Sequence, residues 1–152
     1  MDPVQLTAKM SDETFAEVMS VSPRQVREIL YSQLGVKGKS KSLLKNLQQK
    51  KEERIAKLHE ALKAATSKKE ADVCKELIRN WLYSKRPLLK SALDHLGVPN
   101  DNGLIESDPV MFTELSKEQV NALYSHLCKD FKEEHVAIYL RFMETPHMES
   151  VV

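Results

Sequence analysis

The chain has 152 residues, of which 41% are hydrophobic and 30% charged, with four glycines and a formal net charge of +1. That length carries one ordinary core or two small helical subdomains, and the composition is that of a folded, helix-leaning protein rather than a disordered one. No apolar run is long enough to cross a bilayer, and Met1-Asp2-Pro3-Val4 lacks the basic and apolar regions of a secretory signal, so an intracellular protein with no membrane partner is expected.

Helix starts and stops follow one another along the chain. Ser11, Asp12 and Glu13 place an N-cap and two carboxylates at the start of a short helix with Phe15, Val18 and Met19 on its apolar face. Ser22-Pro23-Arg24-Gln25 predicts a second start, with Ser22 as N-cap, Pro23 at the first helical position and Gln25 closing a capping box. Val26, Ile29, Leu30 and Leu34 form its stripe and Gly35 ends it. The loop Lys37-Gly38-Lys39-Ser40-Lys41 follows. A third helix is expected from Ser40 or Ser42 to about Ala65, carrying Leu44, Leu47, Ile55, Leu58, Leu62 and Ala65; its polar interruption from Gln48 to Arg54 reads as a solvated stretch.

Ser67 and Glu70 form another capping box, ahead of a face of Val73, Cys74, Leu77, Ile78, Trp81 and Leu82. Trp81 falls on that stripe and is expected to anchor the core rather than to stack on a ligand. Pro87 breaks the chain near Ser84 to Arg86, and Leu88, Leu89, Ala92, Leu93 and Leu96 face inward before the stop at Gly97-Val98-Pro99. Residues 99–115, with Asp101, Glu106, Asp108 and Glu114 and no basic residue, read as an irregular, solvated or partner-docking stretch. Ser116 and Gln119 close a third capping box for a helix with Val120, Leu123, Tyr124, Leu127 and Phe131. A last helix starts between Asp130 and Glu133, with Val136, Tyr139, Leu140 and Met143 facing in, and ends at Thr145-Pro146. No segment alternates with the period of a strand, so the expected fold is an all-α bundle of about seven helices. Its expected parts are a basic unit over 1–66 ending in a long third helix, an acidic unit over 67–145 and a frayed tail over 146–152.

Charge is distributed unevenly. Residues 1–69 carry 14 Lys/Arg and 8 Asp/Glu, net +6, whereas residues 70–152 carry 9 and 14, net −5. A basic half suits a polyanion partner, and equally suits attraction to the acidic half or simple solvation of a long helix.

Ala16 to Leu30, AEVMSVSPRQVREIL, resembles the helix-turn-helix of repressor-type DNA-binding domains, through Ala16, Glu17, Val21, Ser22, Val26 and Ile29. The resemblance implies that Pro23, Arg24, Gln25 and Arg27 lie at the start of a recognition helix, where arginine suits guanine and glutamine suits adenine. Ser20 holds the turn position of the family's glycine and would need a left-handed backbone there. Val26 to Leu47, ending in GKSKSLLKNL, is similar to SAP-type DNA-binding motifs. Ser22 to Leu47 also resembles the C-terminal domain of the DEK chromatin protein, through Arg24-Gln25-Val26-Arg27 and Lys41. All three imply a small helical unit that applies basic residues to DNA phosphates. The implied contacts are Arg24, Gln25 and Arg27 with Lys37, Lys39, Lys41 and Lys45 around the loop.

Catalytic and metal chemistry is not expected, and no cofactor is. His59, His95, His126, His135 and His147 are scattered singly and read as surface or boundary residues; His126 and Cys128, two apart, point to different sides of a helix. Cys74 and Cys128 sit on apolar faces and read as buried free thiols. Two expectations therefore stand: a non-enzymatic helical protein that contacts duplex DNA or another polyanion, cytoplasmic or nuclear or nucleoid-associated, or a helical scaffold that binds a protein partner or a second copy of itself.

Overall fold

The computed structural model describes residues 2–35, 51–65, 69–106 and 110–151. Among them run eight α-helices and no strand: α1 (Pro3–Ala8), α2 (Asp12–Val21), α3 (Arg24–Leu34), α4 (Lys51–Lys63), α5 (Ala71–Tyr83), α6 (Arg86–His95), α7 (Lys117–Cys128) and α8 (Glu133–Phe142). Short 3-10 helices cover Val110–Glu114 and Met148–Ser150. The chain divides into two compact units, Asp2–Trp81 and Leu82–Val152. The division falls later than 66/67 because α5 is held by the first unit: the Cys74 thiol is hydrogen-bonded to Thr7 of α1, and Trp81 is fully buried.

In the Asp2–Trp81 unit, α4 packs against α1, α2 and α3. Its Ile55, Leu58 and Leu62 are buried, as are Val4 and Leu6 of α1, Phe15, Val18 and Met19 of α2, and Leu30 of α3. α1 was not expected from the sequence, yet its signal is plain: the Asp2 carboxylate accepts the Gln5 N–H at 2.9 Å and Pro3 takes the first helical position. Ser11 caps α2 as expected, accepting from the Thr14 N–H at 3.2 Å.

Ser22 does not cap α3. Its hydroxyl donates to the Val18 carbonyl at 2.7 Å, ending α2, and Pro23 becomes the N-cap with no side-chain hydrogen bond. A residue before proline is pushed to an extended backbone, and Ser22 (ψ 144) and Pro23 (ψ 145) form a two-residue extended joint. The capping box with Gln25 therefore does not form. Ser20 lies within α2, its hydroxyl donating to the Glu17 carbonyl, and takes no left-handed turn. The stripe of α3 is also narrower than expected. Leu30 is wholly buried and Val26 and Leu34 half-buried, but Ile29, about 100° round the helix from Leu30, is 48% exposed. Gly35, at φ 68, ends α3 as expected. Leu44, Leu47 and the expected start of the third helix lie outside the described residues, as does Ser67.

In the Leu82–Val152 unit, α6 packs on α7 and α7 on α8. Pro87 occupies the first turn of α6, consistent with the expected break before it. At its other end the Val98 N–H donates to the Leu93 carbonyl (2.9 Å) and the Gly97 N–H to that of Asp94 (3.1 Å), around a left-handed Gly97. The loop beyond is knotted by Asn100, whose amide donates to the Asp94 carboxylate and the Val98 carbonyl while its oxygen accepts the Gly103 N–H at 2.9 Å. The acidic stretch is not wholly solvated, because its apolar residues claim the core. Phe112, in the Val110–Glu114 turn, is fully buried edge-on to Tyr139 at 5.8 Å, and Leu115 is buried.

The Ser116–Gln119 capping box forms in both directions. α8 ends with the Thr145 N–H on the Leu140 carbonyl and a left-handed Glu144, φ 58, where a glycine would be usual. The tail does not fray at Pro146: Met148 is buried, and Met148–Ser150 packs on α8.

Candidate nucleic-acid interface

The start of α3 is built for exposure. With Pro23 as N-cap, no side chain covers the first-turn amides, and both Arg24 and Gln25 are exposed. Uncapped helix amides and the helix dipole favour an anion. Arg24 pairs with Glu28 one turn on, Nε to Oε1 at 2.8 Å, with the side chains 64% and 59% exposed. A pair this exposed stabilises by a few tenths of a kcal/mol at most, so a phosphate can displace Glu28 at little cost. The exposed face of α3 runs through Arg24, Gln25, Glu28, Ile29 and Ser32.

Arg27 takes another direction. It is half-buried, and its charge acts on the Tyr31 hydroxyl together with that of Arg54 from α4. Burial pushes the Tyr31 phenol up, while Arg54 and then Arg27 pull it down. Packing of α3 on α4 thus brings one phenol under the influence of two guanidinium charges. Arg54 was not expected here, because its place in a polar run suggested water. Of the expected basic residues, Arg24 and Gln25 share the helix start and Arg27 joins Arg54 near Tyr31. Lys37, Lys39, Lys41 and Lys45 lie outside the described residues.

Two histidine arrangements also depart from expectation. His59 is fully buried, its ring stacked on Phe15 at 4.3 Å and 9°. Its position was legible: residues 55, 58, 59 and 62 follow the i, i+3, i+4, i+7 rule, which puts His59 on the buried face of α4. His95 and His126 are not isolated. Their rings stack at 4.5 Å and 23°, and His126 Nε2 lies 3.2 Å from the Ser91 hydroxyl. With Pro87, Lys90 and Asp94 they line an open surface groove in the Leu82–Val152 unit. Nearly parallel rings do not converge their lone pairs on one ion, and no group of three potential metal ligands occurs among the described residues.

No protein-family model, curated protein or solved structure matches this chain. No helix among the described residues is long and apolar enough to cross a membrane.

Proposed function

We propose that the protein binds nucleic acid, duplex DNA in the first instance, by phosphate contacts from the Asp2–Trp81 unit and without catalysis. The observation that carries this reading is the start of α3, where the N-cap makes no side-chain hydrogen bond and Arg24 is exposed, in the same unit in which the charges of Arg27 and Arg54, from two packed helices, both act on Tyr31. Such groups hold a phosphate by charge and by N–H and O–H donors, and arginine provides the planar fork that phosphate oxygens match. The excess of lysine over residues 37–69, including Lys37, Lys39, Lys41 and Lys45, adds sequence-independent attraction. The role would place the protein in the cytoplasm, nucleus or nucleoid.

Fluorescence anisotropy with a short duplex across a salt series tests it. Affinity should fall steeply with salt, and Arg27→Glu with Arg54→Glu should weaken binding and flatten the slope by about one per lost contact. Glu28→Gln, which frees Arg24, should tighten binding. No binding at low salt rejects the proposal. A protein partner or a second copy is the alternative, favoured by the exposure of Val21 (41%) and Ile29 (48%). Ile29→Gln, which removes the apolar side chain without adding charge, should abolish such an association while leaving duplex binding intact.

A further inference from the structure

Both nitrogens of the buried His59 ring face oxygens that accept hydrogen bonds. Nδ1 lies 2.8 Å from Asp12 Oδ1, and Nε2 lies 3.2 Å from the Thr7 carbonyl. A neutral imidazole has one N–H and one lone pair, so it satisfies one of these oxygens and turns its lone pair against the other. With a proton on both nitrogens, it satisfies both. The two acceptors belong to different helices. Thr7 is in the last turn of α1, where its carbonyl also accepts the Met10 N–H at 3.3 Å and a positive charge is favoured, and Asp12 opens α2, directly after its Ser11 cap.

We infer that His59 is a proton-dependent clamp: its doubly protonated ring ties the end of α1 and the start of α2 to α4, and loss of one ring proton releases one of the two ties. The surrounding charges fit this reading. From α2 comes the Asp12 carboxylate, held below the usual carboxylate range first by its hydrogen bond with His59 and then by Lys63. From α4 itself, Lys63 lies 3.9 Å from the same Asp12 oxygen and pairs with Glu60 at 3.0 Å. From α1 the ring meets the Thr7 carbonyl, and beside Thr7, Glu70, Asp2 and the α5 residue Cys74 complete the ionisable neighbourhood. From α3, the Arg27 charge is directed to Tyr31. Release of one ring proton removes one of these two ties and so weakens the hold of α4 on α1 and α2 within the Asp2–Trp81 unit.

Long-range proton–nitrogen NMR of the ¹⁵N-labelled full chain reads the two ring nitrogens of His59 directly. The expected result is both nitrogens protonated at pH 7, with the amide-exchange protection of α1 decreasing as the second proton leaves at higher pH. Asp12→Asn keeps an acceptor but removes the charge, and Asp12 is exposed enough for the variant to fold. It should leave the ring with a proton on only one nitrogen at pH 7. A singly protonated ring at pH 7 in the native chain, or both nitrogens still protonated at pH 7 in Asp12→Asn, overturns the inference.

Discussion

Replacing Gly103 by alanine should destabilise the Leu82–Val152 unit by far more than the same change at Gly97, and the difference measures one contact. Both glycines are left-handed, with φ of 88 and 71. An L-residue there costs about 1–2 kcal/mol, offset in part by the smaller entropy of the unfolded alanine chain, and these contributions are shared by the two sites. What differs is space. At Gly97 an added Cβ meets nothing within 4 Å, whereas at Gly103 it would lie 2.8 Å from Leu89 Cβ, 3.0 Å from the Lys90 nitrogen and 3.1 Å from the Arg86 carbonyl. Two of those three atoms are helix backbone and cannot swing aside, so overpacking adds about 1–3 kcal/mol. Gly103→Ala should therefore cost about 2–4 kcal/mol, a sizeable part of a small domain's stability. Urea titrations of the full chain and both variants, followed by circular dichroism, give the comparison, with the denaturant slope unchanged. Equal stability of the two variants within about 0.5 kcal/mol would refute the close approach of the 100–104 loop to α6.

Three further outcomes are expected. Glu144 is exposed and left-handed, so Glu144→Gly should raise the stability of its unit by about 0.5–1 kcal/mol, seen as a higher urea midpoint. Ser116→Ala removes an acceptor of the Gln119 N–H and should cost about 1 kcal/mol, with faster amide exchange confined to the first turn of α7. Burial pushes the Cys74 thiol up to about 12, and Cys128, half-buried, is raised first by burial as well. Alkylation of the native protein at pH 8 should accordingly be slow at both, reach Cys128 before Cys74, and accelerate when urea unfolds the chain.

Much of the fold was legible because it is written in local hydrogen bonds. Ser11 and Ser116 cap helices as their neighbours imply, and Gly35 and Gly97 end them. Ser22 shows where local grammar becomes ambiguous. A serine between two helices can accept from the next or donate to the last, and the extended backbone imposed by Pro23 decides for the last. Ile29 was misplaced because its spacing fits a broad stripe, while the width that α3 buries depends on what packs against it. The candidate site divides in the same way. The exposed start of α3 follows from sequence, but the joint action of the Arg27 and Arg54 charges on Tyr31 arises from the packing of α3 on α4, which separation along the chain does not reveal. Periodicity alone puts His59 on the buried face of α4, whereas residue type, intermediate in burial for histidine, points no further than a boundary position.

The knot around Asn100 also bears on how the protein ages. Asn102-Gly103 is a dipeptide in which the following backbone nitrogen readily attacks the asparagine side-chain carbonyl, expelling ammonia to form a cyclic imide that water then opens to a mixture of aspartate and isoaspartate. The attacking atom is the Gly103 nitrogen, and here its N–H is held by the Asn100 side chain. The glycine that gives the loop its shape is also the one that would make it chemically fragile, and the hydrogen bond that fixes that shape restrains the nitrogen from attack. Covalent lifetime at Asn102 is thereby tied to folding: the native loop is shielded, and each excursion to the unfolded chain exposes it to irreversible change.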